Sequence, residues 1–407
     1  MQKYSPFSDM PEYAFPRLRR LLSNLKPGSD PIDMSIGEPK HEYPDFINEI
    51  ILSHLSGLNK YPPNDGYESL LNAMGEWIIK RYELQNFDYH NCLIPLNGSR
   101  EGLFNAALSL FPRLREAKKK YIILPNPFYQ CYLAASIAAN AQPIFVTADS
   151  ETNFLPNFNK IPKNILEKTG IFFVCSPSNP HGGTATEEYW KGLINLSEKY
   201  NFRIFSDECY SEIYRDKKPV GVLSVAKEMG ADLEKISVFQ SLSKRSNLPG
   251  IRSGFSVNGK VTTKILRNVR AYGGAPLPIP FQLASEKVWR DETHVEFNRF
   301  KYNEKFKLAS EIFEDTSSFK LPNAGFFICL QVHDIENFTK QIWVQKGVKV
   351  LPGPYLCNLD NLSFSETEKI SSFARIALVG LKEEVGNGLK SVKSFLEKNS
   401  HYILREH

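Results

Sequence analysis

Long apolar runs are missing from this 407-residue chain. No window approaches the roughly 18 consecutive apolar residues that cross a bilayer, which excludes a membrane-spanning reading. The opening stretch Met1-Gln2-Lys3-Tyr4-Ser5-Pro6-Phe7 holds no continuous apolar core, so it does not read as a secretory signal. Cysteine is sparse. Cys92, Cys131, Cys175, Cys209, Cys329 and Cys357 are scattered without a Cys-x-x-Cys pair, and read as reduced thiols of a cytoplasmic protein. The eight histidines show no His-x-x-x-His or other ligand spacing, which argues against a metal site. Charge of one sign is not in excess either. Lys and Arg total 50 against 45 Asp and Glu, and a net charge of +5 is too slight to predict a nucleic-acid surface. There is no internal repeat and no long linker. What is present is a globular composition, 42% apolar and 23% charged. The length suits two to three domains, or one large unit with an appendage, at about 150 residues per domain.

The first thirty or so residues, rich in Pro, Ser and charge, read as an arm with one basic helical piece near Arg17–Leu25. The middle of the chain alternates. Short β-rich runs stand at 121–124, 143–146, 171–174, 202–205 and 236–239, with helical patterns between several of them. One helix is expected from about Thr186 to Tyr200, its start marked by a capping-box spacing from Thr184 to Glu187 and its apolar face built from Trp190, Leu193, Ile194 and Leu196. Apolar strands separated by amphipathic helices predict a mostly parallel sheet covered on both faces. Strands are expected again at 323–330, after a turn, and at 375–378. A last helix places Leu381, Val385, Leu389, Val392 and Leu396 on one side. The fold class is therefore α/β, with a large domain over 45–285, a smaller α+β domain over 286–407, and an arm, 1–44, that joins the small one.

In open parallel sheets ligands sit beyond the carboxyl ends of the strands, so the residues that follow each strand are the candidates. They are Asn179 in Ser176-Pro177-Ser178-Asn179-Pro180-His181, Asp207 and Tyr210 in Ser206-Asp207-Glu208-Cys209-Tyr210, and Ser241, Ser243 and Lys244 in Gln240-Ser241-Leu242-Ser243-Lys244. Arg252 follows in Gly250-Ile251-Arg252-Ser253-Gly254, and Tyr129 ends Pro125-Asn126-Pro127-Phe128-Tyr129. An amine, a carboxylate, a phenol, an amide, two hydroxyls, a guanidinium and an aromatic ring at one rim suit pyridoxal 5'-phosphate. Lys244 would hold its aldehyde as a Schiff base and shuttle a proton. Asp207 would keep the pyridine nitrogen protonated. Tyr210 and Asn179 would bond the ring oxygen, and Tyr129 would stack on the ring. Ser241, Ser243 and Arg252 would bind the phosphate. Gly98, Ser99 and Arg100 open an apolar helix (Leu103, Phe104, Ala107, Leu108, Phe111) whose first N–H groups would cradle the same phosphate. Each element alone is commonplace, since Asn-Pro is usually a turn and Ser-x-Ser-Lys recurs by chance. Their order, each just after a predicted strand, is what carries the reading.

At these residues the chain resembles the class I/II aminotransferases of pyridoxal-phosphate fold type I, from Gly37 to Arg375. The resemblance implies an aspartate-aminotransferase-like fold and transamination between an amino acid and a 2-oxo acid, both small molecules, by a ping-pong mechanism. Ser35-Ile36-Gly37-Glu38-Pro39 is similar to the family's early substrate loop, in which Gly37 would touch the substrate carboxylate. Lys60-Tyr61-Pro62-Pro63-Asn64 is similar to the segment whose tyrosine, here Tyr61, reaches the cofactor phosphate of a neighbouring subunit, which implies a homodimer with shared sites. Arg375 in Phe373-Ala374-Arg375-Ile376-Ala377 matches the arginine that grips the substrate α-carboxylate. Within the family, the stretch from Ser241 to Phe255, and Asn97-Gly98-Ser99-Arg100-Glu101-Gly102, are most similar to the N-succinyldiaminopimelate aminotransferases. That finer match implies N-succinyl-LL-diaminopimelate and 2-oxoglutarate as substrates, in lysine biosynthesis. Arg245 and Arg100 are candidates for a distal carboxylate. Where several aspartate enzymes carry tryptophan, this chain has Tyr129.

A C–S β-lyase of the same fold, or another amino-acid aminotransferase, would share Lys244, Asp207 and Arg375. A non-catalytic regulator would need an added DNA-binding domain, for which the residues before Gly37 are too few. Gly386-Asn387-Gly388-Leu389-Lys390-Ser391 lacks the spacing of a nucleotide-binding loop. Lys118-Lys119-Lys120 is expected to be a solvated helix end, His181 to be surface or site border, and Asn323-Ala324-Gly325-Phe326-Phe327 a turn into a strand.

Overall fold

The computed structural model describes residues 7–8, 10–316 and 319–404. The first six residues and Asp9 of the expected arm lie outside them.

The centre is a seven-stranded sheet in the order Leu93–Leu96, Gly254–Val257, Ile236–Ser241, Arg203–Asp207, Thr169–Cys175, Tyr121–Asn126, Gln142–Thr147. The last five are mutually parallel, and only Gly254–Val257 runs against the rest. Successive side chains of a strand face opposite ways, and both faces are covered here. In Thr169–Cys175, Phe172 and Val174 enter one apolar core, Ile171 and Phe173 the other. Ile204 and Phe205, and Val238 and Phe239, divide the same way. That two-sided burial explains why these runs lack polar alternation.

The helix Glu187–Tyr200 buries Trp190, Leu193 and Ile194 as expected. Its cap is Thr186, whose hydroxyl accepts the Tyr189 N–H at 3.2 Å, rather than the Thr184–Glu187 box. The rigid short hydroxyl nearest the first turn reaches an orphan N–H that Thr184, two residues earlier, does not. Lys119 also departs from expectation. It is buried, its ammonium donating to the carbonyls of Glu167 and Tyr200 at 3.0 and 2.6 Å.

A second core gathers around a three-stranded antiparallel sheet, Leu351–Pro352, Phe373–Ala377, Phe327–Gln331, with the helices Thr293–Ile312, Ile335–Lys346 and Lys382–Lys398. Val385, Leu389, Val392 and Leu396 of the last helix are buried, whereas Leu381 is exposed one residue before its start. The N-terminal chain joins this core. The helix Ala14–Leu22 packs on it, and Ile32–Asp33 pairs in parallel with Val348–Lys349. No helix of the described residues is long and apolar enough to cross a membrane.

Candidate active site

The carboxyl ends of the parallel strands and the edge of the second core enclose a cavity of about 500 Å³. Lys244 enters it from the one-turn helix Leu242–Arg245, which Ser241 starts by accepting the Ser243 N–H on its hydroxyl at 3.1 Å. The Lys244 ammonium donates to the Gly37 carbonyl at 2.6 Å. Burial holds its pKa down at about 8, because low dielectric disfavours the charged form.

Asp207 ends its strand 3% exposed. The Tyr132 hydroxyl donates to its Oδ2 at 2.7 Å and the Cys209 N–H to its Oδ1 at 3.3 Å. Burial raises its pKa, and these two donors pull the other way. Among the described residues it forms no ion pair. The adjacent Glu208 turns away, accepting hydrogen bonds from Tyr82, Ser206 and the Val222 N–H.

Arg375, 4% exposed, lines the same cavity. Its Nη2 donates to the Ser35 carbonyl at 2.8 Å and its Nη1 to Asn179 Oδ1 at 3.2 Å, while its buried Nε has no partner. The guanidinium lies 4.2 Å from the Phe327 ring centre. Burial lowers its pKa to about 10. Among the described residues no carboxylate pairs with it. Gly37 is fixed by the same ring, since a Cβ there would meet the Phe327 ring at 2.4 Å.

At the other end Arg252, at φ +58°, donates to the carbonyls of Pro249 and Asn97 at 2.9 and 3.0 Å. Gly98, at φ +81°, lies so close that a Cβ would sit 2.4 Å from an Arg252 nitrogen. Glycine alone accepts both that φ and that approach. Ser99 then opens the helix Ser99–Glu116, directing its free N–H groups at the same place. Leu103, Ala107 and Phe111 of that helix are buried, but Leu108 is 40% exposed and leaves the expected stripe. The Ser241 and Ser243 hydroxyls are 2.9 Å apart here. Tyr129 stands on the wall with its hydroxyl accepting from Arg100 Nε at 2.5 Å, and burial raises its pKa. Tyr210, also buried and raised by burial, packs edge-on to Phe326.

Most sequence candidates thus line one cavity, with Gly98 and Ser241 just behind the lining against Arg252 and Ser243; Arg245 and Tyr61 do not join them. Arg245 is 2% exposed beneath it, paired with Glu292 and close to the Trp77 and Trp289 rings, so it cannot meet a substrate carboxylate. A residue next to Lys244 on a single helical turn points the other way. Tyr61 is fully exposed and outside the cavity of its own chain. His181 stacks on Phe154 with ring centres 4.2 Å apart, so it is packed rather than superficial. Tyr132 and Asn298 were not anticipated, and Phe327 stood only in the stretch 323–327 read as a turn into a strand. Asn298 donates to the carbonyls of Lys244 and Arg245 at 3.3 and 3.2 Å, bracing the turn that carries the amine. Tyr132 lies three residues after Tyr129, their rings edge-on with centres 5.5 Å apart, and that spacing was the one signal available.

These groups fit pyridoxal phosphate. The cavity offers a buried amine, a carboxylate without a cationic protein partner, a glycine cradle at a helix start, and a buried guanidinium with an unused N–H. Residues 29–391 match the family aminotransferase class I and II. The chain belongs to that family. It is a pyridoxal-phosphate-dependent aminotransferase. It is 32% identical to the LL-diaminopimelate aminotransferase of Aquifex aeolicus over 62% of this chain and 65% of that protein, a little under two thirds of its length. It is 26% identical to an aspartate aminotransferase of Pyrococcus horikoshii over 94% of both. An aminotransferase structure from Neisseria meningitidis superposes with a TM-score of 0.90 at 34% identity, covering 97% of this chain and all of that one. The fold is accordingly the aspartate-aminotransferase-like one.

Proposed function

We propose that this aminotransferase moves the amino group of N-succinyl-LL-diaminopimelate to 2-oxoglutarate, as a cytoplasmic homodimer whose chain divides into an arm (1–44), a large domain (45–285) and a small domain (286–407). One observation carries the amino-acid reading: among the described residues Arg375 is a buried cation without an anion, lining the same cavity as a lysine and an unpaired Asp207. A buried charge without a partner is strongly unfavourable, and a substrate α-carboxylate would complete the fork.

When bound, pyridoxal phosphate supplies a ring that withdraws electrons from the substrate Cα. Asp207 keeps the ring nitrogen protonated, and Tyr132 holds that carboxylate in place. Lys244 carries the proton from Cα and returns it; its lowered pKa leaves a neutral fraction able to act as base. Asn179 gives its Oδ1 to Arg375, so its NH₂ is free to donate to the ring oxygen beside the Tyr210 hydroxyl. Gly98, Ser99, Ser241, Ser243 and Arg252 hold the phosphate, Tyr129 covers the ring face, and Gly37 lies against the substrate carboxylate.

The donor follows from charge. Lys244, Arg100, Arg252 and Arg375 line the cavity against only Asp207 and Glu38. A cationic wall favours the two anionic ends of the succinylated donor and of 2-oxoglutarate. The names of the relatives favour the unacylated LL-diaminopimelate, which is the second reading. Incubation with 2-oxoglutarate and each donor separately decides between them. Glutamate should form fastest from the succinylated donor. Pyruvate and ammonia in place of glutamate would instead indicate the lyase. Lys244→Ala should lose both turnover and the visible absorption of covalently held cofactor; retained turnover would reject the assignment.

The dimer is supported by an apolar second cavity of about 410 Å³ beside Arg252 and Arg100, matched in chemistry by the exposed Tyr61 of a second copy.

A further inference from the structure

We propose that Asn126 is a positioning residue for substrate. It fastens the strand end that leads to Tyr129 onto the segment that runs beside Arg375, and so sets the width of the cavity in which Arg375 meets a carboxylate. The inference rests on the reading of Arg375 given above.

Asn126 is the last residue of the strand Tyr121–Asn126. Pro127 follows, and without an N–H it cannot extend the ladder. The Asn126 side chain takes the ladder's place. It is 2% exposed, its Nδ2 donates to the Asn358 carbonyl at 2.8 Å, and its Oδ1 accepts the Asn358 N–H at 3.0 Å. Only one orientation of an amide satisfies both groups at once, so the join fixes direction as well as distance. Just beyond Pro127, the Phe128 N–H donates to the Leu356 carbonyl at 2.9 Å. Phe128, Tyr129 and Leu356 all line the cavity.

The other end of the join is tied to Arg375. Leu351 is the cross-strand neighbour of Arg375, and the chain runs on from it through the turn Gly353–Leu356 to Asn358. That turn is pressed onto the Arg375 strand, since a Cβ on Gly353 would meet the Phe373 ring at 2.8 Å. Leu351, Tyr355, Leu356 and Phe373 share one apolar cluster. Groups packed this closely move as one body. At the surface, Lys369 supports the same join, its ammonium 2.7 Å from both Asp149 and Glu151. Lys244, Asp207 and Gly98, by contrast, stand at or just beyond strand ends of the large sheet. Releasing Asn358 from Asn126 therefore shifts Arg375 against Tyr129 and leaves the amine, the carboxylate and the phosphate cradle in place.

The test uses holoenzyme. KM and kcat are measured for 2-oxoglutarate and for the faster of the two diaminopimelate donors, and cofactor affinity by absorbance titration. Asn126→Ala should raise KM for both substrates roughly tenfold, the value of one or two hydrogen bonds. Cofactor affinity should hold, and kcat should stay nearly constant, as expected when only binding is lost. A merely structural role would inactivate a fraction of the molecules, lowering kcat at constant KM. Lys369→Met, an exposed change at the same join, should raise both KM values about threefold, and it decides the matter if Asn126→Ala does not fold. Arg375→Gln should raise KM by itself, and Asn126→Ala added to it should then cost little, because no grip remains to be misplaced. Unchanged KM in Asn126→Ala, or in Lys369→Met where that variant decides, overturns the role of Asn126 and leaves the reading of Arg375 standing; fully additive effects do the same. Unchanged KM in Arg375→Gln overturns the reading on which it rests.

Discussion

A carboxylate as deeply buried as Asp207 would ordinarily protonate or recruit a cation. Here no cation of the described residues pairs with it; burial raises its pKa, and the Tyr132 hydroxyl and the Cys209 N–H pull the other way. Such a group is stabilised as an anion once a pyridinium faces it. Asp207→Ala should therefore cut kcat/KM on the order of 10²–10³-fold, the loss expected when one member of a buried ion pair is removed. Tyr132→Phe, losing a single hydrogen bond to a charged group, should cost about tenfold. Measured cofactor affinity and kcat for both variants check the order; near wild-type activity in Asp207→Ala would refute the pairing. Reading Asp207 from the sequence was possible because it lies just beyond the apolar run 202–205, at the rim where ligands of such sheets sit. Finding Tyr132 was not, because its partner lies 75 residues away.

The elements position these side chains through their ends. Strand ends deliver Asp207 and Ser241, and a helix start delivers Gly98 to Arg100. The weakest point in that delivery is Gly98, with φ at +81° and Arg252 pressed against it. Gly98→Ala combines left-handed strain of about 1–2 kcal/mol with a displaced guanidinium. It should weaken cofactor binding about tenfold or more while the far-ultraviolet circular dichroism stays unchanged. Titration of the cofactor by absorbance checks this, and undiminished affinity would show that the helix start does not hold the phosphate. The strands were legible because their apolar runs are fully buried. The Thr184 cap was misread because several hydroxyls stand before one helix, and only the backbone path decides which one reaches an N–H.

At the scale of the molecule, the arm, the large sheet and the second core meet around Asn298. His41 Nδ1 donates to its Oδ1 at 2.7 Å, Asn247 donates to the same oxygen at 2.9 Å, and Asn298 in turn braces Lys244. His41 Nε2 is buried without a partner, and burial, with Lys305 and Lys301 nearby, lowers its pKa to about 4. The folded protein keeps the ring neutral, whereas the unfolded chain binds a proton below about 6.5. Stability linked to His41 is thus complete above pH 6.5 and is lost as pH falls toward 4. His41→Gln, which retains a donor for Asn298, should flatten the fall in melting temperature across that window by a few degrees. An unaltered slope in calorimetry would place the acid sensitivity elsewhere.

The sequence by itself determined the five parallel strands, the order of chemistry along their rim and the cofactor, because burial on both faces and strand-end position are local properties written in runs of a few residues; the strands Leu93–Leu96 and Gly254–Val257 were not read from it. The tertiary structure alone decided which arginine is free. Arg245 and Arg100 read alike in sequence, yet one is enclosed by Trp77, Trp289 and Glu292 and the other stands in the cavity. Whether a charge is neutralised or left for a substrate depends on neighbours brought from distant parts of the chain, and no local pattern records them.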